Sequence, residues 1–272
     1  MRNPWLSRYS LVTFSFGRQA EIDGLEQNPL PLDALVVPRS SPLNIPDVLV
    51  LHPLGAATSH PQYVAAKAGN PNAAVALSRD LVTPEIVEVV RAAIGVREAT
   101  LVPVLAVEQC GRNMIPLAVA IRLARALGMV TTQEIIQTAK ANRSAKSALD
   151  RVFAHAYFGG EVEAGKSYIL IDDTLTQGGT FAALADHIAR NGGTVVGAIA
   201  LTGKQYSARL RLSGELLEQL RTKHGDAEDA FRSATGYGFA ELTESEARAL
   251  VRYKPAQSVR ATIFAQRDAR RR

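Results

Sequence analysis

Apolar residues follow two different rhythms along the chain from about residue 100 onward. Mainly apolar runs, typical of strands buried on both faces of a parallel sheet, occur at residues 101–107, 168–171 and 194–201. Apolar residues spaced by about one helical turn, typical of an amphipathic helix, occur at residues 115–127, 181–188 and 214–224. This alternation predicts βαβ units and therefore an α/β fold with a parallel sheet flanked by helices.

Weaker patterns predict the remaining elements. Residues 62–67 and 84–94 have helical spacing, and Thr243 with Glu246 forms a capping-box pattern for a helix through Leu250. Further expected β-structure consists of a strand at 48–51, a strand at 129–138 and a small β-excursion from Arg151 to the Gly159–Gly160 turn.

Residues 168–180 combine a strand, an acidic pair, a turn and the start of a helix. Four apolar residues precede Asp172 and Asp173, and a Thr- and Gly-rich turn leads into helical spacing at Phe181. A helix N-terminus offers unpaired N–H groups to a phosphate, and glycines let the backbone approach it. Carboxylates at this position can accept hydrogen bonds from two neighbouring ribose hydroxyls. The stretch predicts a phosphorylated-ribose site; the alternative is an ordinary strand–turn–helix with a capping acid.

These residues resemble the phosphoribosyl-pyrophosphate (PRPP) loop of type I phosphoribosyltransferases. The four apolar positions, both acids, Gly178, Gly179 and Thr180 match the family's signature. Gln177 departs from it, because the family usually has Thr, Ser or Ala there. The resemblance covers roughly residues 98–205 and implies a type I phosphoribosyltransferase-like core with N-terminal and C-terminal additions.

The resemblance implies a Mg²⁺-dependent phosphoribosyltransferase, in which a nitrogenous base or nucleotide attacks C1 of PRPP and displaces pyrophosphate. Asp172 and Asp173 would hold the ribose hydroxyls as catalytic residues and would contact Mg²⁺ only through water, since substrate oxygens are its main ligands. Two loops would bind the phosphates of the substrate. The loop for the 5-phosphate consists of Thr174, Leu175, Thr176, Gln177, Gly178, Gly179 and Thr180. The loop for the diphosphate consists of Glu108, Gln109, Cys110, Gly111 and Arg112.

A basic loop at 140–147 is expected to close over the reaction centre. Its Lys140 and Arg143 would be catalytic, because cations over the leaving diphosphate neutralise charge that grows in the transition state. The alternative for residues 140–147 is a solvated basic loop without a catalytic role. The alternative for residues 108–113 is a surface loop with a stabilising charge pair. Cys110 is interpreted as a packing thiol, since no histidine is near it in sequence.

The predicted organisation has three parts. Residues 1–97 form an N-terminal extension and candidate hood, residues 98–210 the core, and residues 211–272 C-terminal helices with a hood-like segment and a basic tail. In the third part, Tyr237 and Phe239 would either stack on a flat base or pack into a core. Two interpretations are open for His52 and His60 in the first part: they have a function, or they are loop histidines without a role.

Composition narrows the class of protein. The 272 residues are 47% hydrophobic and 21% charged, which suits a globular protein, and the net charge of +5 suits a polyanionic substrate. A single cysteine excludes an internal disulfide framework and a cysteine-cluster zinc site. No apolar run approaches a membrane span, and none resembles a signal peptide. We therefore expect a cytoplasmic protein without a membrane partner, and a homodimer is common in the family.

Other functions stay open from the sequence. One is a PRPP- or nucleotide-binding regulator without catalysis, for which the basic tail would allow contact with nucleic acid. Others are a PRPP synthetase, whose first domain is not found, and an enzyme that modifies a larger nucleotide. The acceptor is not identified: Thr176 stands where hypoxanthine–guanine enzymes have an aspartate, which leaves adenine, orotate, uracil, xanthine or another base.

Overall fold

The structure is a computed structural model that describes residues 39, 44–95, 98–108, 111–139, 148–153, 155–253 and 256–270. These residues fall within one compact unit. The described strands are β1 (Val48–Pro53), β2 (Thr100–Pro103), β3 (Val107–Glu108), β4 (Gly111–Arg112), β5 (Val130–Thr131), β6 (Ile136–Ala139), β7 (Tyr157–Gly159), β8 (Ser167–Leu175) and β9 (Thr194–Gly203).

Helices surround these strands. They are α1 (Tyr63–Lys67), α2 (Pro71–Leu81), α3 (Pro84–Ile94), α4 (Ile115–Leu127), α5 (Ala148–Phe153), α6 (Gly179–Arg190), α7 (Gly214–His224), α8 (Glu228–Thr235), α9 (Glu244–Arg252) and α10 (Ala256–Arg270). Short 3₁₀ turns lie at Gln205–Ser207, Gly225–Ala227 and Phe239–Glu241. No described helix has both the length and the apolar character that crossing a membrane requires.

Five strands form one parallel sheet in the order β1-β9-β8-β2-β5. Along the central strand β8, alternate side chains point to opposite faces. Ile169 and Ile171 pack in an apolar cluster with α2, α3 and α4, whereas Tyr168 and Leu170 pack in a second cluster with α6. The predicted α/β fold, a parallel sheet flanked by helices, is therefore confirmed.

The sheet includes a strand from the predicted N-terminal extension. Strand β1 pairs in parallel with β9 through residues such as Val50, which is opposite Ala200. Its partner β9 continues to Gly203, two residues beyond the predicted end of that strand. The edge of the sheet thus comes from outside the range 98–210.

Two predicted strands are divided. The run at 101–107 separates into β2 and the short strand β3, which pairs antiparallel with β4. The run at 129–138 separates into β5, in the main sheet, and β6, which pairs antiparallel with β7. Between them the Thr132 hydroxyl accepts a hydrogen bond from the Glu134 N–H, at 3.2 Å, and this local bond turns the chain out of the sheet.

The predicted β-excursion from Arg151 is wrong at its start and right at its end. Residues 151–153 belong to helix α5, because Val152 is fully buried in a third apolar cluster with the C-terminal helices. The chain becomes extended only at β7, which ends at Gly159 as expected. The predicted helices at 84–94, 115–127 and 214–224 are confirmed, as is the capping box that starts α9.

Candidate functional site

Asp172 and Asp173 lie inside strand β8 rather than at its end. The strand pairs with β9 as far as Leu175, with Asp172 opposite Ala200 and Thr174 opposite Thr202. Since no bend separates the acids, their side chains leave the sheet on opposite faces. Asp172 faces the recess beside α6, and Asp173 faces the side of α1 and α4. The turn that was predicted to follow the acids directly begins only after Leu175, where β8 ends.

Asp173 is held by two side chains that sequence reasoning did not assign to the site. Its Oδ2 accepts a hydrogen bond from Asn113 Nδ2 at 3.0 Å and lies 3.1 Å from Lys67 Nζ. Asn113 is itself fixed, because its Oδ1 accepts the N–H of Ile115 at the start of α4, at 3.1 Å. Asn113 could have been found from its position in the polar loop before α4. For Lys67, 106 positions away from Asp173, the sequence carries no signal.

Asp172 lies in an environment that disfavours its charged form. Only 8% of the residue is exposed, and burial followed by the neighbouring Asp173 carboxylate raises the pKa of Asp172 well above its usual range. The N–H of Asp173 donates to Asp172 Oδ1 at 2.8 Å, and the Lys67 charge also favours ionisation, but both are weaker effects. A ligand hydroxyl that donates to Asp172 would supply the stabilisation that the carboxylate lacks here.

The loop that follows β8 forms one wall of a recess. Gly178 precedes the first residue of α6 and has φ of 84°, a left-handed conformation that favours glycine. A Cβ at this position would lie 2.2 Å from Leu210 Cδ2, so glycine is also needed for packing. Besides Asp172, the recess is lined by Arg151, Thr174, Leu175, Thr176, Gln177, Gly178, Gly179, Thr180, Phe181 and Glu246. The structure thus brings together the seven predicted residues of the 5-phosphate loop and the N-terminus of α6.

A buried ion pair stabilises this loop. The guanidinium of Arg39 donates to both carboxylate oxygens of Glu246, at 2.6 and 3.0 Å, and Arg39 Nη2 also reaches the carbonyl of Gly179 at 3.4 Å. Burial alone lowers the pKa of Arg39, but its interactions with Glu246 outweigh that effect and the pKa is raised. The Thr243 hydroxyl donates to the Gln177 carbonyl at 2.6 Å. Segments from both ends of the chain therefore fix the loop.

The predicted diphosphate loop is described only in part. Glu108 and Gly111 pair in the β3–β4 ladder, while Gln109 and Cys110 lie outside the described residues. Arg112 is half-buried, and that burial lowers the pKa of its guanidinium. Lys140 and Arg143, predicted to be catalytic, also lie outside the described residues, as does the rest of the basic loop at 140–147.

The two aromatic residues of the C-terminal part pack into the protein. Tyr237 and Phe239 are buried in the third apolar cluster, where both rings contact Phe231 with centroid distances of 5.7 and 5.1 Å. The Arg39 guanidinium also lies 4.6 Å from the Tyr237 ring centroid. This agrees with the interpretation of these residues as core rather than as a stacking surface for a base.

The two histidines of the predicted extension lie in different settings: His60 is in a turn, whereas His52, expected in a loop, lies within strand β1 opposite Thr202. His52 Nε2 lies 2.7 Å from the Leu81 carbonyl, and His60 Nε2 lies 3.3 Å from a carboxylate oxygen of Asp80. Within the described part of the chain, no three His, Cys, Asp or Glu residues are grouped so that they could hold a metal ion.

Comparisons with known proteins give two curated relatives. The chain is 38% identical over 226 residues to Protein TraN of Escherichia coli, a match that covers 83% of this chain and 50% of that protein. It is 39% identical over 147 residues to an uncharacterized protein of Haemophilus influenzae, covering 54% of this chain and 33% of the relative. The chain thus spans half or less of the length of the curated relatives it matches. No protein-family model matches it.

Solved structures similar to the chain include two adenine phosphoribosyltransferases. One matches with a TM-score of 0.35 and 16% identity, over 48% of this chain and 72% of that structure. The other, from Rhodothermus marinus, matches with a TM-score of 0.29 and 15% identity, over 46% of this chain and 82% of that structure. At these scores we infer neither substrate nor activity from them, and the site is interpreted from its own residues.

Proposed function

We propose that this site binds PRPP and that the protein is a phosphoribosyltransferase acting on a nitrogenous base. The observation that carries the proposal is the arrangement around the loop at 174–180. A buried carboxylate, Asp172, and the glycine-led N-terminus of α6 line the same recess, with Asp173 on the other side of the strand. This is the pairing that a ribose 5-phosphate needs, because its hydroxyls seek acceptors and its phosphate seeks N–H donors.

The proposed reaction forms a bond between C1 and a base nitrogen and breaks the bond between C1 and the diphosphate oxygen. The loop at 174–180 would anchor the 5-phosphate, and Asp172, which lines the same recess, would orient the ribose. Arg112, with Lys140 and Arg143, would neutralise the charge of the departing diphosphate. Mg²⁺, when bound, would add to that neutralisation.

The first experiment measures binding. Saturating Mg²⁺·PRPP at a hundred times its Kd should stabilise the full chain by about 2.7 kcal/mol, seen as a rise in Tm. The same measurement with a panel of nucleoside 5′-monophosphates tests whether the site binds the products of the proposed reaction. If neither PRPP nor any member of the panel moves the melting curve, the site does not bind ribose phosphates and the proposal fails.

The second experiment measures chemistry. Pyrophosphate release from PRPP is followed with adenine, orotate, uracil, xanthine, hypoxanthine and guanine as acceptors. Base-dependent release that is lost in Asp172→Asn supports the transferase.

A non-catalytic PRPP-binding regulator is the second candidate. The position of Asp173 favours it, because Lys67 and Asn113 hold this acid on the face opposite the recess, so that the loop and Asp172 could bind PRPP while one expected catalytic acid does not reach it. PRPP binding without release for any base, together with PRPP-dependent retention of DNA or RNA, would identify the regulator instead.

A further inference from the structure

A second, wider recess adjoins the first one. Both are lined by Arg151, Thr176 and Gln177, so these three residues form their common edge. The far side of the second recess is built by the 3₁₀ turn at Gln205–Ser207 and by one side of α9. An extended ligand held at the loop 174–180 would therefore reach the second recess by crossing this edge.

The second recess is strongly basic. Four of its lining side chains are cations, and none is a carboxylate: they are Arg151, Lys204, Arg248 and Arg252. Arg248 is the one with a carboxylate partner, since its Nη2 lies 3.0 Å from Glu244 Oε1. Among the side chains that the structure describes, the other three have no acidic partner within ion-pair distance. Uncompensated positive charge that converges on a cavity is the electrostatic condition for binding an anion.

An exposed aromatic ring accompanies these cations. Tyr206 is 63% exposed although it lines the recess, and Lys204 Nζ lies 5.7 Å from its ring centroid. A flat, open ring beside unpaired cations can stack a base whose phosphate is bound nearby. The neighbouring 5-phosphate recess is lined by two carboxylates, Asp172 and Glu246, and the charge of Glu246 is neutralised by its ion pair with Arg39.

We propose that the second recess receives a further phosphate group that is linked to the 5-phosphate of the ligand. This inference rests on the proposed function, because it takes the ribose 5-phosphate to be held at the loop 174–180. The ligand class would then extend from ribose 5-monophosphates to nucleotides that continue on the 5′ side. A nucleoside 5′-diphosphate and a short single strand both supply that second phosphate, and Tyr206 would stack on the neighbouring base of a strand.

The test compares pairs of ligands that differ by the second phosphate. Kd values of the full chain are measured at 0.15 M salt for adenosine, guanosine, cytidine and uridine as 5′-monophosphates and as 5′-diphosphates, and for an oligouridylate of about five nucleotides, which is compared with uridine 5′-monophosphate. We expect the second phosphate to improve affinity about tenfold, which corresponds to one charge-assisted hydrogen bond. Lys204→Gln and Arg252→Gln should each reduce this gain while leaving monophosphate affinity within about twofold.

Arg125→Gln is the matched control. Like Arg252, Arg125 is an exposed arginine in the last turn of a helix, but it lies on α4 and lines neither recess. Arg125→Gln removes the same net charge as Arg252→Gln and should leave the affinity gain from the second phosphate unchanged. An Arg252-dependent gain seen only with the diphosphates, or only with the oligonucleotide, supports the second-phosphate site and identifies its source.

Three results overturn the proposal, and they differ in what they mean for the proposed function. If monophosphates bind but neither the diphosphates nor the oligonucleotide binds more tightly, the second recess takes no phosphate, and the proposed function stands. The same holds if Arg125→Gln lowers the gain as much as Arg252→Gln, because the effect is then one of net charge. If no nucleotide binds at all, the proposed function and this inference both fail.

Discussion

Lys67 Nζ lies 3.1 Å from Asp173 Oδ2, and this ion pair joins the short helix α1 to the acidic pair of strand β8. The lysine is about a quarter exposed and the carboxylate is largely buried, with exposed side-chain fractions of 28% and 10%. The same positive charge also lowers the pKa of Asp172, against burial and the Asp173 carboxylate, which raise it. Lys67 therefore acts on both acids of the site.

Replacing Lys67 by methionine should shift the pH dependence of PRPP binding. Without the cation, the pKa of Asp172 rises further, so that its carboxylate ionises only at higher pH. Because the ionised form is the one that accepts hydrogen bonds from ribose, the acidic limb of the affinity profile should move to higher pH. Kd is measured across pH 5–8 for both proteins. Lys166→Met, which breaks the exposed pair with Glu163, is the control, and coincident profiles for Lys67→Met and wild type would refute the coupling.

Asp172→Asn should stabilise the ligand-free protein at neutral pH. The folded pKa of Asp172 lies above its ordinary value of 3.8, so the unfolded chain releases this proton first as the pH rises. Stability is therefore lost between the two pKa values, at about 1.4 kcal/mol for each pKa unit separating them. The asparagine variant avoids that loss, and its Tm should exceed that of wild type at pH 7.5 and converge with it near pH 4.

The same variant should bind PRPP at least about tenfold more weakly, because a charged acceptor is lost. A variant that is less stable at pH 7.5 yet binds PRPP normally would mean that Asp172 serves as a cap of the turn and not as a ligand-binding residue.

Gly179→Ala should damage the loop at 174–180. An added Cβ would lie 2.3 Å from Glu246 Oε1 and 3.0 Å from Arg39 Nη2, and the buried ion pair leaves these atoms little freedom to move. Overpacking of this kind costs about 1–3 kcal/mol, and PRPP affinity should fall with it. Gly214→Ala is the control, since a Cβ at this first position of α7 meets nothing within 4 Å. Urea unfolding of the two variants should move the midpoint downward in the first only.

Arg39→Met should destabilise the whole protein. It leaves the Glu246 carboxylate buried without its partner, and the loss of one member of a buried pair costs about 3–5 kcal/mol. Arg79→Met breaks an exposed contact with Asp80 and should change the free energy of unfolding by less than about 1 kcal/mol. Equal effects of the two substitutions on unfolding would show that the buried pair contributes no more than a surface pair.

The sequence predicts what is local and misses what is assembled from distant segments. The strand, acids, glycines and helix start of residues 168–180 are adjacent in sequence, and their periodicity and turn chemistry predict β8, the loop and α6. The divided strands at 101–107 and 129–138 were missed because an apolar run does not reveal where a turn directs the chain into another sheet. Arg39, Lys67 and Glu246 were missed since nothing in the order of residues reveals which distant segments meet at the loop.

The ion pair between Arg39 and Glu246 also has a consequence for biosynthesis. Its two members are separated by 207 positions in the sequence. In the same way, strand β1 is synthesised well before its partner β9, which begins at Thr194. At about 5–20 residues per second, a ribosome needs roughly 10–40 s to proceed from the arginine to the glutamate. During that time the nascent chain has an unpartnered apolar strand and no completed support for its phosphate loop. Any product that stops before α9 would therefore carry the whole signature and still lack the ion pair that holds it in shape.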